Sequence, residues 1–270
     1  MTEWIQNAFM IRALVAGVLV GALASYYGTF IVQRRLSFLG SGLAHAAFGG
    51  IALALLLQQD PLFVAIPFTV FVAIAINWVR SKTILAADTA IGVFFAVSVA
   101  LGVIFLSMRK GTTYDAFSYL FGSILAISMA DLWIIILIFL MGLTTLPRLW
   151  GNWAFATFDE ESARADDLSV SRDDYLLNVM LAITIVAAIK MVGILLIAAF
   201  LVIPAASARL LSPTFFWMTV FSVVLGAASA FSGMVGSYEL DLPSGATIIL
   251  CQAIFFGLAL LWSRWRAEPV

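Results

Sequence analysis

The sequence predicts an all-α protein that crosses a membrane about eight times, and three observations carry that reading. Hydrophobic residues make up 63% of the 270 and charged residues only 11%. A soluble domain carries about 25% charged residues, so this chain cannot clothe a water-facing surface. Mean hydropathy is +1.09, and the apolar residues fall in runs of the roughly 20 that a helix needs to cross hydrocarbon. No strand-period alternation competes, and an open sheet could not satisfy its backbone in lipid. The net charge of -1 offers no basic patch for nucleic acid. A single cysteine, Cys251, excludes an internal disulfide and a cysteine-based metal cluster.

Taken in order, the crossings are expected at 9–33, 36–57, 61–79, 88–108, 130–149, 214–236 and 244–263, with 175–203 as a special case. Residues 1–9 include Glu3 and lack the basic start of a cleavable leader, so the first run is expected to stay as a helix. The run before Met129 is apolar but short; 112–128 is expected not to cross and to form a half-helix over 116–128 on the outer side. Tyr175 to Ile189 is long enough for about 22 Å of helix. Lys190 and Gly193 then mark a break, which favours an out-and-back hairpin over one tilted helix. On this reading Lys190 lies at the outer turn and snorkels to water, and Pro204 ends the return leg. Residues 150–174 hold seven of the fifteen acids and are expected as a solvated cytoplasmic loop with one short amphipathic helix. No repeat or second domain is visible, so residues 1–270 form one transmembrane domain.

Orientation follows from Lys and Arg in short loops. With the N-terminus outside, ten of the fourteen basic residues fall on the inner side, from Arg34-Arg35 through Arg209 to Arg264 and Arg266. Arg109 and Lys110 fall outside. The eight tryptophans lie near expected helix ends, where amphipathic rings collect.

Chemistry concentrates around His45, the only histidine. An ionisable ring at membrane depth is costly and marks a functional site by default. Ser41 lies one turn before it on the same helical face, and Gly42 and Gly49 keep that face narrow. Two readings stay open from spacing alone. One is a neutral imidazole ligating a divalent cation beside an oxygen donor; the other is a histidine bonded between tightly packed helices. Asp88 and Asp131 open helices, where the dipole favours carboxylates. Gly17 and Gly21 form a GxxxG packing seam, and the scattered methionines read as core filling. No G-x-x-x-x-G-K-[ST] is present, so the chain has no P-loop for ATP. A Ser41–His45 hydrolase is disfavoured, because successive turns of one helix poorly aim a base at a nucleophile.

An ordered set of motifs carries a resemblance covering about residues 9–262. It comprises Arg34-Arg35-Leu36-Ser37, Leu39-Gly40, Leu43-Ala44-His45-Ala46, Ala87-Asp88-Thr89-Ala90-Ile91-Gly92 and Tyr119-Leu120-Phe121-Gly122. Ala188 to Leu196, Ile203-Pro204-Ala205-Ala206-Ser207-Ala208-Arg209-Leu210-Leu211 and Asp241-Leu242-Pro243-Ser244-Gly245 complete it. The chain resembles the zinc/manganese permease subunits of ATP-binding-cassette importers. The resemblance implies a homodimeric permease in a bacterial cytoplasmic membrane, not an enzyme, working with a separate cytoplasmic ATPase dimer and an extracytoplasmic metal-binding protein. It implies no resident cofactor: the divalent metal is cargo, and ATP acts only through the partner. His45 matches the family's membrane histidine. The stretch 204–213, with Pro204, Ala205, Ala206, Arg209, Leu210 and Leu211, matches the segment expected to dock on the ATPase. Ser41 and Ser123 stand where family members usually carry aspartate, and with Asp88 they complete the candidate metal path. Losing two carboxylates favours zinc over manganese, since Mn²⁺ prefers carboxylate oxygen. The alternatives are a self-contained secondary carrier, which should show inverted repeats and paired intramembrane acids, and the hydrolase.

Overall fold

The computed structural model describes residues 8–109, 119–120, 122, 127–194 and 196–267. Those residues are helical almost throughout. In chain order the elements are α1 (Ala8–Gln33), α2 (Ser37–Leu57), α3 (Pro61–Lys82), α4 (Ala87–Met108), α5 (Met129–Phe158), α6 (Glu160–Ala165), α7 (Val170–Val192), α8 (Ile197–Leu211), α9 (Phe215–Leu240) and α10 (Ser244–Ala267). All but α6 and α8 are long and apolar enough to cross a membrane. The seven independent crossings lie where hydropathy placed them, with ends shifted by a few residues, apart from α5.

Two groups of helices share one core. α1 lies along α9, and α8 fills the space between α1, α9 and α10; α2 packs on α3 and α4, with α3 leaning on α7. Small residues let the backbones close in. A Cβ at Gly17 would meet the Met234 side chain, one at Gly21 would meet the Gly226 carbonyl, and one at Gly28 would sit 2.0 Å from the Leu201 carbonyl. The GxxxG of α1 is thus a packing seam that α9 occupies. Hydroxyls add bonds between helices: Ser222 Oγ–H donates to the Ser25 carbonyl at 2.8 Å, and Trp150 Nε1–H to Thr219 Oγ1 at 3.3 Å. On α5 the buried positions Asp131, Ile135, Ile138, Gly142 and Thr145 follow one helical face. Its other face carries exposed Trp133, Leu137 and Leu140, as a helix in contact with lipid requires.

The stretch 150–174 departs from expectation. α5 runs nine residues past 149 to Phe158, through Pro147, and α7 already begins at Val170. Trp153 is wholly buried, edge-on to Phe30 at 5.6 Å, so it is a core ring and not an interfacial one. Arg34 fastens this extension: its Nε donates to Thr157 Oγ1 at 2.9 Å, and its head pairs with Asp174. The ends of α1, α5 and α7 are thereby stapled together. α6 is capped by Asp159, whose carboxylate accepts from the Ser162 N–H and hydroxyl. Those bonds hold its carboxyl below the usual range.

The expected break falls at Gly193, whose φ of 86° only glycine adopts freely. α7 ends there, and α8 returns toward the Arg34 end, where Arg209 shares a cavity of about 250 Å³ with Gln33, Phe158 and Phe215. Pro204 does not end the return leg; it lies inside α8, which continues to Leu211. Proline strips the Phe200 carbonyl of its intrahelical donor, and the Ser25 hydroxyl on α1 donates to that carbonyl at 3.4 Å. The helix persists because its neighbour meets the orphan.

Lys190 also departs from expectation. Its ammonium bonds Asp131 Oδ1 at 2.6 Å, with the two side chains 15% and 6% exposed. The other oxygen of Asp131 accepts from the Ser128 N–H and hydroxyl, and Ser128 accepts the Asp131 N–H in return. Asp131 is therefore the N3 residue of a capping box, as its place at a helix start suggested, and the counter-ion of Lys190 as well. Of the expected half-helix over 116–128, Tyr119 and Leu120 are helical and most of the rest lies outside the described residues. What is described packs on the α7–α8 break: the Ile194 N–H donates to the Tyr119 carbonyl at 3.0 Å. A Cβ at Gly122 would lie 2.5 Å from the Met191 carbonyl.

Candidate functional site

α2 turns most of its surface inward but leaves a stripe of Phe38, Ser41, His45 and Phe48 partly or fully exposed. The spacing of i, i+3, i+7 and i+10 puts these four on one face. His45 is half-buried, and its Nδ1 lies 2.9 Å from the Ser41 carbonyl oxygen. A carbonyl only accepts, so Nδ1 carries a proton, which in the neutral tautomer leaves the lone pair of Nε2 for a ligand. Such a hydrogen bond to the far nitrogen is what orients metal-binding imidazoles. It also fits poorly with the hydrolase alternative, since the histidine engages the Ser41 backbone through Nδ1 in place of polarising the Ser41 hydroxyl.

α4 lies beside this stripe. A Cβ at Gly42 would touch Ile91, and one at Gly49 would lie 2.8 Å from the Ser98 carbonyl. The common offset means that α2 and α4 run parallel. Gly102 in turn receives the ring of Phe48, 2.7 Å from where its Cβ would be. The glycines around His45 therefore serve close helix packing, which is half of the second sequence reading. Among the described residues the histidine itself is not hydrogen-bonded across helices. Phe95 of α4 stands over it, with ring centroids 4.5 Å apart, and also meets Phe38 at 6.2 Å.

Of the other sequence candidates, Ser41 lies beside His45 through its backbone. Asp88 is exposed in the first turn of α4, seven residues before Phe95 and hence on the same face about 10 Å away along the axis. Ser123 lies outside the described residues. No group of three or more His, Cys, Asp or Glu is assembled for a metal among the described residues. A cation resting here thus has one imidazole and oxygen donors from this chain, which suits a station for passing cargo better than a permanent site. Along the expected docking segment, Pro204, Ala205 and Ala208 are buried, whereas Arg209 and Leu210 are exposed. Pro204 and Ala205 hold the helix in place, Ala206 and Leu211 are half-buried, and Arg209 and Leu210 are the candidates most open to another protein.

Phe38 and Phe95 escaped the sequence reading. Phe38 was within reach of it, seven residues before the histidine on the same face. Phe95 was not, because nothing local gives the register of two helices.

Among the described residues, a bundle of eight membrane-length helices, with a histidine-bearing face and a short helix reaching one end, is the architecture of a multi-pass membrane permease. Comparison with known proteins agrees. The family model described as "ABC 3 transport family" matches residues 6–263, and the chain belongs to that family. It is 34% identical over 258 residues to the manganese transport system membrane protein MntC of Listeria monocytogenes, covering 96% of this chain and 92% of the relative. It is 31% identical over 248 residues to the high-affinity zinc uptake system membrane protein ZnuB of Haemophilus influenzae, covering 92% and 95%. Among solved structures, PsaBC from Streptococcus pneumoniae in complex with Fab superposes with a TM-score of 0.85 at 32% identity, covering 96% of this chain and 94% of that one.

Proposed function

We propose that this protein is the membrane-spanning permease subunit of an importer that moves a divalent metal ion across a bacterial cytoplasmic membrane. The reading rests chiefly on His45, a neutral imidazole on a membrane-length helix, half-exposed, with Nε2 left free by the Ser41 bond. Lipid would leave that nitrogen without a partner, at a cost of several kcal/mol or about that order. A second copy of the chain facing this stripe gives it a polar path instead, and the permease acts as a homodimer. Energy comes from a separate ATPase dimer, because the chain has no P-loop. An extracytoplasmic metal-binding protein delivers the ion to the outer end, where the positive-inside count places Lys190 and Glu239.

The identities to relatives named for manganese and zinc, 34% and 31%, lie too close to choose a cargo. The donors favour zinc: imidazole and hydroxyl suit Zn²⁺ better than Mn²⁺, and the carboxylate the family usually carries at position 41 is a serine here. Arg209–Leu211 is the point of ATPase contact, and α8 carries its movement inward. Leu201 of α8 lies against Gly28 of α1 and against Gly40 of α2, next to Ser41. Movement of α8 therefore reaches the cation face as a rigid-body shift.

The test is His45→Ala in cells grown under metal chelation. The variant inserts and dimerises like the wild type but loses metal-dependent growth and uptake of radiolabelled zinc and manganese. Normal uptake by that variant removes the ligand role.

A further inference from the structure

Below His45 the same face closes. The imidazole, the ring of Phe95 and the ring of Phe38 form a continuous aromatic column, with centroid spacings of 4.5 and 6.2 Å. α2 and α4 both start at the Arg34 end, so Phe38 lies between His45 and the side on which most basic residues fall. Phe95, level with His45 in the register of Gly42 on Ile91, bridges from the imidazole to Phe38. Phe38 is 43% exposed on the unpartnered face, which places its ring in the path and not in the core. On the opposite side of His45 the arrangement differs. Phe48 is folded back over Gly102, and among the described residues no second ring stacks on the imidazole from that side. Level with Phe38, Asp88 is exposed on the Phe95 face of α4, and at Gly92, between Asp88 and Phe95, a Cβ would meet nothing within 4 Å. From outside to inside the face therefore reads: ligand, aromatic closure, and a carboxylate at the inner edge of that closure.

We infer that Phe38 and Phe95 are the inner gate of this permease, an apolar constriction that holds a cation at His45 until α2 and α4 separate. This inference rests on the proposed function, in which His45 meets the cargo. The physics is dewetting. A cation carries its hydration shell or exchanges it for ligands, and a passage walled by phenyl rings offers neither. In the dimer each copy contributes two rings, so the closure is built from four. Asp88 receives the ion at the inner edge of the rings, as an exposed hard oxygen donor. The gate is placed to respond to α8, because Leu201 abuts Gly40 two residues beyond Phe38.

The test uses the permease with its ATPase, reconstituted into liposomes that contain a fluorescent indicator for Zn²⁺ and Mn²⁺, with the metal-loaded binding protein supplied outside. Influx is measured with and without ATP for the wild type, Phe95→Ala, Phe38→Ala, Phe95→Leu and His45→Ala. The wild type conducts only with ATP. Phe95→Ala and Phe38→Ala admit metal without ATP about tenfold faster than the wild type, equal to about 1.4 kcal/mol of barrier. Phe95→Leu keeps the apolar bulk and stays closed. Size-exclusion profiles matching the wild type confirm that each variant is intact. ATP-free influx in both alanine variants no higher than in the wild type overturns the gate; if His45→Ala is inactive in the same experiment, the ligand reading stands without it. Equal leakage from Phe95→Leu also overturns it, since loss of packing and not of the plug would then be the cause. Normal ATP-driven influx in His45→Ala overturns the proposed function itself.

Discussion

Replacing Lys190 with methionine removes one side of an ion pair that closes the bundle at the end opposite Arg34. The pair is short, 2.6 Å, and its side chains are 15% and 6% exposed. At an effective dielectric of about 20 the attraction is about 6 kcal/mol, and desolvation of both groups cancels part of it. Methionine fills the space, so no cavity term enters. What remains in Lys190→Met is a carboxylate still held by Ser128 but facing apolar surroundings, and breaking such a pair costs about 3–5 kcal/mol. At about 2–4 °C per kcal/mol for a chain of this size, thermal unfolding in detergent should begin on the order of 10 °C earlier. Asp131→Asn combined with Lys190→Met leaves no buried charge and should recover most of the loss, so the double variant is more stable than Lys190→Met alone. The measurement is a four-member thermal series followed by loss of the monodisperse chromatographic peak. A Lys190→Met protein as stable as the wild type, or single losses that simply add in the double variant, would refute the ion pair as a closure.

Two further outcomes follow from particular contacts. Gly28→Ala drives a methyl to 2.0 Å from the Leu201 carbonyl, a backbone atom that cannot swing away. The cost is at least about 1–3 kcal/mol and shows as a sharp fall in extractable folded protein, while Gly92→Ala, with open space around it, is neutral in the same extraction. Arg209→Glu reverses an exposed charge at the end of α8 and should reduce co-purification of the ATPase, with the permease itself still folded; undiminished co-purification removes Arg209 from the contact.

The crossings were legible in the sequence because each is a run long enough to span and too apolar for water. The break at Gly193 was legible for a second reason, since glycine beside a lone lysine interrupts such a run. What escaped depends on distant partners. Lys190 reads as a snorkelling residue until Asp131, 59 positions away, is brought beside it. Pro204 reads as a helix end until Ser25, on another helix, satisfies the carbonyl it strands. Residues 150–174 read as a loop because their acids dominate any average. Yet Trp153 is drawn into the core by Phe30 and carries two more turns of α5 with it. At the candidate site, one-turn spacing paired Ser41 with His45 correctly. It did not show that the serine would contribute its carbonyl to the imidazole.

α8 is fifteen residues long, about 22 Å in a bilayer whose hydrocarbon is about 30 Å thick. Its last turn exposes Arg209 and Leu210, Ala199, Val202, Ile203 and Ala206 form one half-buried stripe, and most of the remaining positions are buried against other helices. Acyl chains can therefore reach this rod only along that stripe, and hydrophobic mismatch has little grip on it. Its depth is set by the glycine notches that receive Leu201. A push at its basic tip accordingly meets mainly protein, and the stroke it delivers should change little between thin and thick membranes.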